Sequence, residues 1–471
     1  MTPPTLEDTG LTSARRYAVL VICCASLLIS VMDISIVNVA LPSIRDGLGA
    51  STAGLQWTVD AYTLVLASFL LLAGSTADRF GRRRMFRLGL IVFGIGSLLC
   101  SLAPGIGWLI AARAIQAVGG TMLNPVAMAI VVTVFPDRAE RARAIGIFGA
   151  TAGLSLVLGP ILGGALVDGL GWRSIFWVNL PIVVVAVICT SLFVPESRAA
   201  HGRRFDPVGQ FLVVLVLGGV VSAIIESEKH GWGTPLVLGL LVVAAVSAVV
   251  LIGYERRRRE PLLELRLFRS IPFSSAVLIA MFAFTGFGAF LFVTTLYLQS
   301  VRKLSALDAG LCLLPVGVLI CFLSPLTGRV VGSLGPRLPL VVAGTALTLG
   351  AAASITIGVA TPLPVILAIF LFFGVFLGTI NPPIANSAVS GMPASMTGLA
   401  ASLASVGRQT GTSLGVAIAG SIVGSKATTD PQAFSHAAHV VWWPIVGMGL
   451  AVLALGLVST SRRAQLTATV V

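Results

Sequence analysis

The chain has 471 residues, of which 56% are hydrophobic and only 10% charged, against about 25% charged in a soluble domain. Its mean hydropathy is +0.99, which excludes a water-soluble enzyme. The net charge of +13 does not indicate a nucleic-acid partner, because the basic residues sit in short loops between apolar spans.

Fourteen apolar spans are each long enough to cross ~30 Å of hydrocarbon. They run approximately over 17–40, 54–74, 85–103, 108–134, 144–167, 175–194, 208–225, 235–253, 272–299, 308–328, 338–357, 363–387, 401–424 and 438–460. The first is too long for a cleavable signal peptide, and no small-residue cleavage site follows it. With the N-terminus inside, cytoplasmic segments hold 23 of the 31 basic residues and external loops hold six: Arg45, Arg173, Lys229, Arg302, Lys303 and Lys426. That asymmetry predicts both termini in the cytoplasm. Trp57, Trp108, Trp172 and Trp232 fall at outer span ends, as an interfacial aromatic belt places them. Three lysines against 28 arginines, with abundant Ala, Gly and Val, suggest a bacterial chain in an inner (plasma) membrane. The six cysteines lie inside apolar spans without disulfide or metal spacing, and His201, His230, His436 and His439 are scattered. No metal, cofactor or catalytic cluster is therefore expected.

The first span ends in Val31-Met32-Asp33-Ile34-Ser35-Ile36-Val37-Asn38-Val39-Ala40-Leu41-Pro42. At roughly 1.5 Å per helical residue, Asp33 lies on the order of 10 Å from the span end near Ala40. An ionisable residue at that depth is a functional hypothesis by default. Asp60 enters the second span and Arg113 the fourth, both from outside. Two acids and one base at one depth are expected to pair, with Asp60 able to reach external water. A carboxylate suits proton coupling because it has two charge states. Burial disfavours the charged form and a neighbouring cation favours it.

The second span closes on Gly74-x3-Asp78-Arg79-Phe80-Gly81-Arg82-Arg83, and the tenth on Gly328-Arg329-x2-Gly332-x2-Gly335-Pro336-Arg337. The repeated glycine spacing is the echo expected of transporter halves built from repeats. It predicts an all-α integral membrane protein with six-helix bundles at 1–200 and 272–471. Residues 201–271 then hold two additional helices and a cytoplasmic linker. In the fourth span Gln116 and Asn124 follow Arg113. The fifth carries Gly146, Gly149, Gly153, Gly159-Pro160 and Gly163-Gly164. Small residues four apart allow close helix approach, and Gly-Pro weakens the helix, so this span is expected to form an interface between moving halves. The linker Glu255-Arg256-Arg257-Arg258-Arg259-Glu260-Pro261, with Leu262 to Arg269 after it, is expected to lie along the inner membrane surface. Asn38, Gln116, Asn124, Gln299, Arg408 and Gln409 are polar within spans. They line a cavity or bond between helices. No acid lies within the C-terminal spans to pair with Arg408.

At these residues the chain is similar to the major facilitator superfamily, in its fourteen-helix group of drug:proton antiporters. The matching stretches are the first-helix acid with Ile-Val-Asn-Val-Ala-Leu-Pro, the Gly74–Arg83 signature and Arg113-x2-Gln116-x2-Gly119. Gly159-Pro160-x2-Gly163-Gly164 and Trp172-Arg173-x-Ile175-Phe176-x-Val178-Asn179-Leu180-Pro181 complete the set. The resemblance covers nearly the whole length. It implies that Gly74, Asp78, Arg79, Gly81, Arg82 and Arg83 latch a cytoplasmic gate. It makes Gly149, Gly153, Gly159, Pro160, Gly163 and Gly164 the antiporter motif, places Arg113 beside the proton site, and makes Asp33 the proton- and substrate-coupled acid. Ser155 stands where that motif usually opens with glycine.

The expectation is a monomeric exporter of amphipathic, in one reading cationic, small molecules. It needs no cofactor, is driven by the proton gradient, and meets membrane lipids but no nucleic acid. Export of a lipid or endogenous natural product, with Arg113 and Arg408 meeting an anionic group, is the alternative. A membrane sensor without flux is the alternative of another class.

Overall fold

The structure is a computed structural model that describes residues 12–198, 206–258, 261–393, 396–424 and 430–468. His201, Arg259, Glu260 and Lys426 lie outside the described residues. The described chain is helical, with no strand. In order it forms α1 (Ser13–Leu48), α2 (Thr52–Phe80), α3 (Arg82–Ser101), α4 (Ile106–Val134), α5 (Arg138–Leu170), α6 (Ser174–Trp177) and α7 (Asn179–Phe193). The pair α8 (Pro207–His230) and α9 (Pro235–Glu255) follows. Then come α10 (Ile271–Leu296), α11 (Ala306–Cys312), α12 (Leu314–Leu334), α13 (Arg337–Ser354), α14 (Leu363–Val389), α15 (Thr397–Val423), α16 (Pro431–Ser459) and the short α17 (Arg462–Ala468). Counting α6–α7 and α11–α12 as one span each gives the fourteen spans. Thirteen are apolar enough by composition alone to cross a membrane. The other, α15, is long enough but is diluted by Arg408, Gln409 and its Gly, Ser and Thr residues.

Ends are called outer and inner by the arginine distribution. Helix starts are specified locally. Thr12, Ser51, Asp206, Ser270 and Asp430 each accept a backbone N–H of the first turn, which satisfies donors the helix cannot use itself. Helix α1 continues through Pro42 to Leu48 and stops at Gly49, whose φ of 61° is the left-handed conformation of a glycine cap. It therefore runs several residues beyond the span end expected at Ala40.

The two halves meet along two flanks. On one, α2 runs beside α15 for its whole length, from Thr52 Oγ1 on the Gly424 carbonyl (3.1 Å) and Gln56 Nε2 on the Ala417 carbonyl (2.9 Å) to Leu71 packed with Ala400 and Leu403. The pair α8–α9 packs at the back of this flank, with Val221 and Ile225 of α8 against Ala417. On the other flank, α5 meets α11–α12 at its outer part only. A Cβ on Gly164 would meet the backbone of Ala306 and Leu307, and one on Gly317 would meet Val157. At Gly146 and Gly149 nothing lies within 4 Å. One apolar cluster bridges both halves at the outer ends, from Ile36 and Leu41 to Phe290 and Leu298. The inner part of the N-terminal half has its own core around Phe86, Phe93 and Phe135. The molecule is thus closed outside and parted inside along α5 and α12.

The linker differs from expectation. Leu267 is fully buried, and Leu262 and Leu263 pack against the inner ends of α2, α10 and α15. Leu262, Leu263 and Leu267 thus dock on protein, whereas Phe268 is exposed. Trp172 also departs from the interfacial belt: it is buried against Gly47 and Phe176, whereas Trp108 and Trp232 are exposed.

Candidate functional site

Asp33 is fully buried. Its carboxylate accepts from Arg113 Nη1 through Oδ2 and from Gln116 Nε2 through Oδ1 at 2.8 Å. Arg113 also donates Nε to the Thr58 carbonyl at 3.1 Å and Nη1 to Gln116 Oε1 at 2.7 Å. Its guanidinium lies over the Tyr62 ring, 4.2 Å from the centroid. Gln116 reaches Ser97 Oγ at 2.9 Å, which Asn179 Nδ2 approaches at 3.3 Å. Five helices, α1, α2, α3, α4 and α7, thus fix one ion pair. Helical spacing produces it: Arg113 and Gln116, three apart on α4, share a face and clamp one acid from the same side. A buried pair persists only when most of its donors and acceptors are satisfied, and here both Asp33 oxygens and Arg113 Nε and Nη1 have partners.

One sequence expectation, that both acids pair with Arg113 and that Asp60 reaches external water, is corrected. Asp60 does not join Arg113. It is fully buried away from external water on the α2 face toward α15, where Oδ1 accepts weakly from Thr63 at 3.5 Å and Oδ2 has no partner. The Ser413 hydroxyl of α15 is its neighbour across the interface, outside good hydrogen-bond geometry. Asp33 does not face the space between the halves; it points into the N-terminal bundle. Gln116 is likewise no cavity residue but part of the ion-pair network.

The remaining polar candidates divide. Asn38 is buried and donates to the Ile34 carbonyl of its own helix. Asn124 accepts from Ser30 at 3.0 Å, tying α4 to α1. Gln299 donates to the Val39 carbonyl at 2.8 Å, across the halves at the outer end. Arg408 is half-buried, with Asn381 Oδ1 at 3.5 Å and Ser405 Oγ as neutral partners, and Gln409 is half-buried beside it.

Within the cytoplasmic signature, Asp78 accepts from Arg82 Nε at 3.2 Å and Nη2 at 2.9 Å, while Arg82 Nη1 reaches Thr133 Oγ1 at 2.6 Å. Gly81 has φ 107°, a conformation L side chains avoid. The Arg83 amide donates to Glu196 Oε1 at 3.1 Å. Arg79 lies over Phe80, and Gly74 borders open space. The signature is therefore engaged within its own half in this inside-parted form, rather than latching one half to the other.

Part of the fifth-span motif forms the half-to-half contact: Pro160 lies under Gly310 and Gly164 under Ala306. Gly159 and Gly163 instead pack on Ser35 and Ile36 of α1, within the N-terminal half. Gly153 comes nearest Ile320, while Gly149 is open. Ser155 bonds its own helix, to the Thr151 carbonyl at 2.7 Å. Sequence reasoning missed Asp168, at the outer end of α5, whose carboxylate accepts from the Ala306 and Leu307 amides at 3.2 and 2.9 Å. It also missed Tyr62, Glu196, Asn381 and Ser405. Nothing in the spacing of Tyr62, Glu196 and Asn381 marks them, because their partners are distant in sequence; Ser405, three residues before Arg408 on one helix face, did carry a signal.

A family model described as Major Facilitator Superfamily matches residues 23–416. The chain belongs to the major facilitator superfamily. As a member it is a multi-pass membrane transporter rather than an enzyme, with its fourteen spans arranged as two six-helix bundles and an added pair. It is similar to the multidrug resistance protein Stp of Mycobacterium tuberculosis, 36% identical over 85% of this chain and 75% of that protein. It is 36% identical to the puromycin resistance protein pur8 of Streptomyces alboniger, over 86% of this chain and 81% of that one. Among solved structures, a bacterial homologue of the human lysosomal transporter Spinster superposes with a TM-score of 0.64 at 17% identity, covering 97% of this chain and 98% of that one. This last likeness bears on the fold alone.

Proposed function

We propose that this superfamily member is a proton-coupled antiporter that exports small amphipathic molecules by alternating access. It works as a monomer in a bacterial inner membrane, with both termini cytoplasmic. Residues 1–200 and 272–471 are the rocking units, and 201–271 are an attached helix pair and linker. The names of its relatives, which concern multidrug and puromycin resistance, support export. The observation that carries the coupling is the fully buried Asp33–Arg113 pair.

Breaking a buried pair by neutralising one partner costs about 3–5 kcal/mol, because the other charge is left uncompensated. A proton placed on the Asp33 carboxylate therefore forces Arg113 to move or to find water. That disturbs α1, α2 and α4 at the depth where α1 contacts α5 and α10. Loading the proton is thereby linked to opening the outer closure, and return to the pair seen here releases it inward. The driving force suffices: ~2.3 kcal/mol per charge per 100 mV plus about 1.4 kcal/mol per pH unit. Asp60 is a second buried acid, one that holds its proton at the interface rather than driving transport. It has no cation beside it among the described residues, and an apolar interface tolerates a neutral acid far better than an isolated carboxylate. Proton and cargo then occupy different places and compete through conformation rather than for one carboxylate.

The test uses the full chain in proteoliposomes with a trapped pH dye and an imposed gradient. Adding a transported amphiphile should accelerate collapse of the gradient in proportion to cargo moved. Cargo movement without added proton movement would refute antiport.

A further inference from the structure

The search for a cargo site leads away from Asp33 to the opposite half. Helix α15 has three of its sides assigned. Gly407, Gly411 and Gly415 lie on the backbone of α10. Ser413, Ala417 and Gly420 face α2, and Leu414 packs toward α8. At 100° per residue, the remaining side carries Ser405, Arg408, Gln409 and Thr412. This side lies opposite α8 and is bordered by α14; with α10 and α2 on the adjoining sides, it is read as turned toward the interior between the halves. Asn381 of α14 completes the group through its bond to Arg408.

Among the described residues Arg408 is a cation without a counter-ion. Its partners there are an amide and a hydroxyl, and no described acid side chain lies near enough to pair with it. Beyond residue 272 the chain has only two acids, Asp308 and Asp430. Both sit in the first turn or cap of outer helix starts, α11 and α16. The other intramembrane arginine, Arg113, is already neutralised by Asp33. Among the described residues, the charge presented to the interior is therefore positive and comes from Arg408. Intramembrane charges normally pair with one another, and a guanidinium presents a planar fork that fits a carboxylate bidentately.

We propose that Arg408, with Gln409, Ser405 and Asn381, forms the cargo-charge site of the transporter, and that the cargo is an amphipathic organic anion bearing a carboxylate or phenolate. This rests on the export reading above and fixes its substrate class. The anionic group sits on Arg408. The apolar body lies along Val31, Ile34 and Phe284, the partly exposed residues of α1 and α10. A cationic amphiphile meets a like charge there and is disfavoured.

The experiment uses the purified full chain and a matched dye series: a carboxylate xanthene, its neutral methyl ester, and a cationic amine derivative. Binding is read by anisotropy and transport by proteoliposome flux. The wild type is expected to bind the carboxylate at least tenfold more tightly than the amine. Arg408→Gln should lower carboxylate affinity at least tenfold and abolish its preference over the ester, while Arg408→Lys keeps most of it. Equal or tighter binding of the amine by the wild type overturns the proposal. So does a carboxylate preference that survives Arg408→Gln. If Arg408→Gln does not fold, the wild-type series and Arg408→Lys still decide. A wild type that prefers the carboxylate but moves none of it under a proton gradient sinks the export reading and leaves the site standing.

Discussion

Gly164 offers a direct handle on alternating access. In this inside-parted form, a Cβ at Gly164 would lie 2.5 Å from the Ala306 carbonyl oxygen and 2.5 Å from Leu307 Cα. Both are backbone atoms that cannot swing aside. Overpacking of this kind costs about 1–3 kcal/mol. The gain in helix propensity from Gly to Ala, about 1 kcal/mol, is present in every conformer and cancels. The strain falls only on forms in which the outer ends touch. Gly164→Ala should therefore shift the equilibrium toward outer opening by roughly 5- to 150-fold. Spin labels at the exposed Leu170 and Leu311, in a cysteine-free background, report the separation of α5 from α11. Gly164→Ala should populate a longer distance. Gly149→Ala, with nothing within 4 Å, should not. A folded Gly164→Ala protein with the wild-type distance distribution would show that this contact does not hold the outer side shut.

Three further outcomes follow from the same geometry. Asp168→Ala removes two amide bonds across the halves. Because that carboxylate is solvent-exposed, the loss is about 1 kcal/mol, seen as a smaller shift of the same label distance in the same direction. Arg113→Ala leaves Asp33 buried and unpaired and should cost about 3–5 kcal/mol in thermal unfolding. The double variant with Asp33→Asn should recover part of it; additive losses would mean the two do not interact. Gly209→Ala would place a Cβ 2.6 Å from Glu255 Oε1 and 2.7 Å from Asp206 Oδ2. It should destabilise the α8–α9 pair by about 1–3 kcal/mol, read as earlier protease cleavage of the linker; unchanged cleavage would show that the pair relaxes freely.

Hydrophobic run length made the fourteen spans legible, and the motifs made the family legible, because both are local properties of the sequence. Depth put Arg113 level with both Asp33 and Asp60 without choosing between them. What depth cannot give is azimuth. Asp33 and Asp60 stand at similar depth, yet one points into the N-terminal bundle and the other at α15, which depends on how each helix is rotated against its neighbours. The same limit explains why the sequence left Gln116 between a cavity and an interhelical role, and why Asp168, whose partners are amides 138 and 139 residues away, carried no signal. The linker was misplaced because an amphipathic stretch looks alike whether its apolar side meets lipid or the ends of three helices. Helix α1 outruns its apolar span of 17–40, because the helix continues through Pro42 into the polar residues that lead to Gly49.

The central claim is that the proton that drives transport resides on Asp33. The measurement that meets it most directly is cargo accumulation by Asp33→Asn in proteoliposomes, with and without an imposed pH gradient. The account predicts that this variant still exchanges cargo down its concentration gradient but accumulates none when the pH gradient is applied. Uphill accumulation by Asp33→Asn at the wild-type level would contradict it.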